Sequence, residues 1–442
     1  MNSPAEVADT VIEARWVIPV EPARDVLSDH SVVIVDGRIA AILPTAEART
    51  RFSARQRLEL TAHAVIPGLI NLHTHAAMAL MRGLADDLAL MDWLNHHIWP
   101  AEMRHVSEAY VYDGTRLACA EMLRGGVTCF NDMYFFPQAA ARAACDAGMR
   151  AAVGLIVTEF PSPYASDAQD YLSKGLALRD GLRNEPLLSF CLAPHAPYTV
   201  SDQSLRQVAT FAGELDLPVH IHVHETTAEI EQSLKTCGMR PLRRLAGLGL
   251  LGPGLIAVHA IHLDEQEIAL LAQQGCHVAH CPSSNLKLAS GIAPVRALLE
   301  AGINVGLGTD GAASNNRLDL FAEIRLAALL AKGATGDPTA VSAWQVLEMA
   351  TLGAARALGL DGQIGSLAPG KCADIAAVRL DEIETTPCYD PHSHLVYASG
   401  REHVSHVWVN GRLVLDDRRL TTLDMPEIIA RAAYWHDRIG TP

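Results

Sequence analysis

The chain has 442 residues, 49% of them hydrophobic and 19% charged, with a formal net charge of −15. This is a globular composition, long enough for one large barrel with an accessory domain, and its acidity argues against a general nucleic-acid binder, which would show a basic patch. No run approaches the roughly 20 apolar residues of a membrane span, and the nine cysteines are scattered without CxxC spacing, so they form no disulfide framework and fit a reducing cytoplasm.

From the N-terminus onward, acids come early and no apolar run follows a basic cluster, so no secretory leader is expected. The first 65 residues read as short strands and turns. "SVVIVDGRIAAIL" (31–43) is two apolar runs around Asp36-Gly37, a hairpin signal. The middle of the chain alternates short apolar strands with Ala-, Leu-, Glu- and Arg-rich helical patterns. The strands fall at 65–72, 126–132, 151–157, 187–193, 218–223, 255–259, 277–281 and 303–308. Residues 372–380 and 403–415 are again β-rich, the second with an Asn410-Gly411 turn. Eight strands with intervening helices predict an α/β fold, a (β/α)8 TIM barrel over 66–369. The two β-rich ends, 1–65 and 370–442, predict one small composite β domain built from both termini.

Polar residues gather where the strands end. The first strand ends in His73 and His75, the fourth leads to His195, and the fifth carries His220, His222, His224 and Glu225. The sixth ends in His259 and the eighth leads to Asp310. In a TIM barrel this C-terminal rim is where chemistry is done. Residues i and i+2 of a strand share a face, roughly 6–7 Å apart, so His73 and His75 can converge on one ion. Imidazole nitrogen suits zinc and neighbouring divalent metals, and a third histidine with one carboxylate would complete the shell.

The residues alone do not decide which of His220, His222 and His224 binds; at least one of them is a structural or supporting imidazole. His277 and His280 read as core or rim groups, and His96, His97 and His105 as surface or pocket lining. Asp132 reads as a cap or salt-bridge partner, and Met78, Met81 and Met91 as local packing. "SSNLKL" (283–288) could form a loop at the barrel mouth, with no partner assigned.

Together, "PGLINLHTHAAMALMRG", "HVHET", "HCPSSNLKL", "GLGTDGAASNN" and "LAPGKCADIAAV" resemble the amidohydrolase superfamily, and within it the 5′-methylthioadenosine/S-adenosylhomocysteine deaminase branch. The resemblance spans nearly the whole chain and implies that the domain built from both ends is a composite β-sandwich. It implies one divalent metal, zinc as first choice, held by His73, His75, His222 and Asp310. It implies an HxxE pair, His222 and Glu225, with Glu225 passing a proton to the ring, His259 beside the attacking water and Asp310 accepting a proton from it. A glutamate nine residues after a tryptophan matches Trp93 and Glu102. Glu102 would take both ribose hydroxyls, while Trp93 has a pocket-wall reading and a packing reading. His195 matches a histidine that contacts the purine.

The fourth strand, "LLSFCLAPHAPY", has no lysine to bridge two metals, which favours one metal and deaminase chemistry. The implied activity is hydrolytic deamination of a 6-aminopurine nucleoside in the cytoplasm, a cyclic-amidine C–N hydrolysis yielding the 6-oxo product and ammonia. The implied partners are a small nucleoside and, by analogy, further copies of the chain, with no membrane and no nucleic acid. One departure stands out. Residues 151–178 contain no arginine, only Lys174, and Arg150 precedes the strand body, so a guanidinium clasp for the carboxylate of S-adenosylhomocysteine is not evident. Methylthioadenosine is therefore the expected substrate, ahead of S-adenosylhomocysteine or adenosine. The rivals are a deaminase or chlorohydrolase acting on a free heterocycle (guanine, pterin or s-triazine), and a barrel that binds metabolites without catalysis.

Overall fold

The structure, a computed structural model, describes residues 6–440. Eight parallel strands make the barrel: β1 (Leu69–Thr74), β2 (Val127–Met133), β3 (Arg150–Val157), β4 (Leu188–Pro194), β5 (Val219–Val223), β6 (Leu255–His259), β7 (His277–His280) and β8 (Asn304–Leu307). β1, β2, β3, β5 and β6 are buried along their whole length. Helices cover the outer face and side chains fill the inner one, so the strands need near-continuous apolar runs. Five of the helices between the strands start on side-chain caps. Ser107, Asp167, Ser201, Thr226 and Asp264 each accept an N–H of the first turn, as helix N-termini require.

The barrel closes between β8 and β1 through residues just past the β8 pairing. Asp310 N–H donates to the His73 carbonyl at 2.9 Å. The Asn71 amide donates to Thr309 Oγ1 at 2.7 Å and accepts from Thr309 N–H at 3.0 Å. A Cβ at position 308 would lie 2.8 Å from His73 N, so only glycine allows this approach.

Both chain ends join one further eight-stranded sheet. Glu6–Val17 runs parallel to Phe52–Pro67 and antiparallel to Leu27–Val35, which turns at Asp36-Gly37 into Arg38–Pro44. Ile375–Arg379 joins the other edge of Phe52–Pro67, followed by Val404–Val409 and Arg412–Asp416 across the Asn410-Gly411 turn. The strand expected over 65–72 is divided: its first part ends this sheet at Pro67 and the barrel begins at Leu69. Gly68 is the break, and a Cβ there would strike the Thr128 side chain at 2.1 Å. The other seven barrel strands lie within one residue of their sequence expectation.

Arg150 pins the two sheets together, donating to both oxygens of Asp374 at 2.8 and 3.2 Å in a buried setting. The C-terminal helix Met425–Ile439 packs back on the barrel helix Glu108–Arg124, where Asp113 accepts from Trp435 and Arg431. All nine cysteines are free. Among the described residues no helix is long and apolar enough to cross a membrane.

Candidate functional site

At the C-terminal mouth of the barrel, side chains from four strands converge. His73 Nε2 and His222 Nε2 are 3.2 Å apart. Asp310 Oδ1 lies 3.2 Å from His73 Nε2 and 3.2 Å from His75 Nε2. The opposite nitrogen of each ring is held from behind. His75 Nδ1 donates to the Met133 carbonyl at 2.6 Å, and His222 Nδ1 to the His195 carbonyl at 2.7 Å. A carbonyl accepts only from N–H, so each of these rings, when neutral, presents a bare Nε2 inward. His73 Nδ1 is 2.9 Å from His220 Nε2, which gives His73 the same tautomer when it donates there.

Asp310 Oδ2 is occupied by the hydroxyls of Ser284 at 2.6 Å and Ser314 at 2.8 Å, so Oδ1 faces the imidazoles. Lone pairs and a carboxylate oxygen this close repel unless a cation lies among them. Three nitrogens and one oxygen, each braced from outside, are the donor set of a zinc-type site. Two overlapping groups have metal-holding spacing, His73–His75–Asp310 and His73–His222–His259.

The electrostatics set His75 apart from the other rings. Burial lowers His73 to about 4 and carries His222 well below its ordinary range, which keeps both rings neutral with their lone pairs free. Burial also works against a charged His75, but the hydrogen bond and charge of Asp310 outweigh it and lift His75 to about 9. Burial opposes the Asp310 charge too, yet its bonds to His73 and His75 hold that carboxyl well below the usual range. The site thus stabilises positive charge next to Asp310. Burial raises Glu225, with the His259 charge only partly offsetting it, so Glu225 can carry a proton.

Backbone conformation aims these groups. His224, His259, Ala260 and Asp310 all have left-handed φ, at 57°, 68°, 47° and 61°, which non-glycine residues adopt at a cost of about 1–3 kcal/mol each where the surroundings over-determine them. The left-handed His224 ends β5, so Glu225 turns back into the site instead of continuing the strand alternation. Glu229 secures that turn by accepting the N–H groups of His224 and Glu225 at 3.1 and 2.9 Å.

An inner cavity beside the imidazoles is lined by Trp93, Glu102, Tyr134, His195, Glu225 and His259, among others. Glu102 is buried on the helix Trp99–His105 and accepts from Tyr134 Oη at 2.7 Å. Burial pushes it up to about 7, against the Tyr134 bond. Trp93 meets both of its readings, since it lines this cavity and is 5% exposed in an apolar cluster. Through Trp99, Glu102, Phe135, Phe160 and Tyr198 the inner cavity opens into an outer one of about 750 Å³. Among the described residues the one basic side chain lining the outer cavity is Arg244, and its guanidinium is engaged by Asp202 and the carbonyls of Pro197 and Val200.

The remaining histidines separate. His220 sits behind His73. His224 points away, donating to the His262 carbonyl and accepting from Leu242 N–H. His277 bonds Pro253 and Asn304, and His280 is buried with no partner at Nδ1 among the described residues. His96 and His97 are exposed and His105 is half-buried. Asp132 caps the turn after β1 by accepting from Ala76 N–H at 2.7 Å. Met78 and Met81 are buried, whereas Met91 is exposed. Sequence reasoning passed over Tyr134 and Ser314, and it placed Ser284 and Asn285 in a mouth loop without assigning them a partner. Tyr134 had a positional signal too, two residues past Asp132 at the tip of β2.

A model of the amidohydrolase family matches residues 64–414. A 5-methylthioadenosine/S-adenosylhomocysteine deaminase of Saccharophagus degradans is 49% identical over 98% of this chain and 97% of its own length. A zinc-bound structure of an adenosine deaminase from Xanthomonas campestris superposes with a TM-score of 0.98 at 48% identity, covering 99% of this chain and 100% of that one. The zinc complex of atrazine chlorohydrolase from Arthrobacter aurescens gives a TM-score of 0.89 at 26% identity, over 97% and 100% of the two chains.

Proposed function

The chain belongs to the amidohydrolase family, and on that premise we propose that it deaminates a 6-aminopurine nucleoside, with 5′-methylthioadenosine as preferred substrate. The observation that carries the reading is the convergence of His73, His75, His222 and Asp310 with a protonatable Glu225 and His259 beside them. These four residues would hold one divalent cation, zinc in first place. When bound, such a cation supplies the Lewis acidity that makes water nucleophilic at neutral pH.

The chain's own groups do the rest. His195 and Trp93 bracket the purine. Glu225 delivers its proton to ring N1 and makes C6 electrophilic. His259 orients the water that attacks C6, and Asp310 accepts the proton that water gives up. The new C6–O bond forms, the C6–N6 bond breaks as the proton held at Asp310 leaves with the amine as ammonia, and the remaining hydroxyl proton returns to Glu225, which leaves the 6-oxo product. Glu102 receives the ribose hydroxyls, which favours a nucleoside over a free heterocycle.

The outer cavity receives the 5′ substituent. Its apolar walls suit a methylthio group. Arg244 is already engaged, Arg150 is pinned to Asp374, and Lys174 bonds Asp170 and the Tyr164 carbonyl. None of the three is free to clasp the carboxylate of a homocysteine tail.

The test is loss of purine absorbance with methylthioadenosine, S-adenosylhomocysteine, adenosine and guanine. Methylthioadenosine should have the highest kcat/KM, with S-adenosylhomocysteine at least about tenfold lower, the value of one charge-assisted contact. Turnover of guanine alone would overturn the reading.

A further inference from the structure

Residues 283–288, left without a partner by the sequence, fold into and just past the short helix Pro282–Lys287 beneath the site. Two neighbours on it reach two different functional groups. Ser284 donates to Asp310 Oδ2, and Asn285 places Oδ1 2.8 Å from His259 Nδ1. Asn285 is 2% exposed and His259 1%, so bulk water does not compete for this contact. The imidazole is held on its other sides as well. It stacks on His222 with centroids 5.5 Å apart and planes 18° apart, and Nε2 points toward Glu225 Oε1 at 3.9 Å.

An amide oxygen has lone pairs and no proton, so it accepts only from N–H. With a lone pair on Nδ1, two acceptors would face each other at 2.8 Å in a buried setting, which is unfavourable. The neutral ring therefore carries its proton on Nδ1 and leaves Nε2 bare.

We propose that Asn285 is a positioning residue that selects the Nδ1–H tautomer of His259, so that His259 meets the attacking water as an acceptor at Nε2. This rests on the place given to His259 in the reaction above. With the other tautomer, an Nε2–H would meet the water as a donor and turn its lone pair away from C6. Asn285 Nδ2 has no partner among the described residues; the reverse amide orientation would put the proton on Nε2, and the experiment separates the two.

Zinc-loaded enzyme labelled with ring-15N histidine reads the tautomer directly, with His259 assigned by its loss in His259→Gln. The expected pattern is a protonated Nδ1 and a bare Nε2, and this readout stands whether or not methylthioadenosine is the substrate. Asn285→Leu, close in shape and lacking the oxygen, should lower kcat by about 10- to 100-fold, the usual effect of removing such a partner. KM should stay within about twofold, and one zinc per chain should remain. Asn285→Asp, which keeps an oxygen there, should recover most of the loss. A proton on Nε2 in the wild type, a wild-type kcat in Asn285→Leu, or an Asn285→Asp as slow as Asn285→Leu would each overturn the proposal.

Discussion

Glu102→Gln separates recognition from stability at a single side chain. Burial raises the Glu102 carboxyl from 4.5 to about 7, so the fold favours its protonated form. That contribution is complete below pH 4.5, fades as pH climbs from 4.5 to about 7, and is gone above. A shift of this size corresponds to about 3 kcal/mol at most. Glutamine imitates the protonated state at every pH and keeps an oxygen for Tyr134. The variant should therefore match the wild type near pH 4.5 and be more stable at pH 8, by up to about 3 kcal/mol.

Recognition moves the other way. One acceptor oxygen becomes a donor and the charge is lost, which costs about 1.5–3 kcal/mol for a hydrogen bond to a charged group. That is about 10- to 150-fold in kcat/KM for methylthioadenosine. In the zinc-loaded wild type, KM for the nucleoside should rise as falling pH protonates Glu102, at a pH below about 7 because the cation favours the carboxylate. The assays are steady-state deamination across pH and thermal unfolding at pH 5 and pH 8. A cation at the histidine site pulls Glu102 downward, so unfolding is read on metal-stripped protein. Unchanged nucleoside kcat/KM together with an unfolding midpoint that gains nothing at pH 8 would refute both halves of the reasoning.

Asp310→Asn should reduce turnover by at least about 1,000-fold, within the range of a positioned proton acceptor, while circular dichroism shows the fold intact; retained activity would remove Asp310 from the proton path. Metal analysis of the purified chain should give one equivalent, and chelation should abolish turnover, with zinc restoring it; a reproducible two equivalents would reject the single-cation site. Arg150→Met should cost about 3–5 kcal/mol, because Asp374 at 3% exposure would lose its cationic partner in a buried place and keep the Asn410 N–H at 2.8 Å. Denaturant unfolding measures this, and a change under about 1 kcal/mol would show that the barrel and the terminal sheet do not depend on the pair.

Local pattern was enough to read the strands, because each barrel strand is buried on both faces and so appears as an apolar run bounded by polar tips. The same holds for the two hairpins, whose Asp36-Gly37 and Asn410-Gly411 turns need backbone that such pairs readily adopt. The HxH of β1 and the carboxylate after β8 were visible as chemistry placed where strands end. Alternation could not rank His220, His222 and His224, which it puts on one face. In the fold, β5 stops at Val223 and the left-handed His224 swings out to Leu242 and His262. His222 meets His73 at 3.2 Å, and His220 backs the same ring from behind.

Ser284 and Asn285 were legible as part of a mouth loop, but their partners, like that of Ser314, carried no local mark, since a serine or asparagine at a helix start has the same pattern whether it faces solvent or a catalytic group. The engagement of Arg244 was equally hidden, for its partners lie more than forty residues away. Spacing along the chain reports on neighbours a few residues apart. Which distant groups share a proton or a cation is set by closure of β8 on β1 and by the helices packed around it, and only the folded chain contains that information.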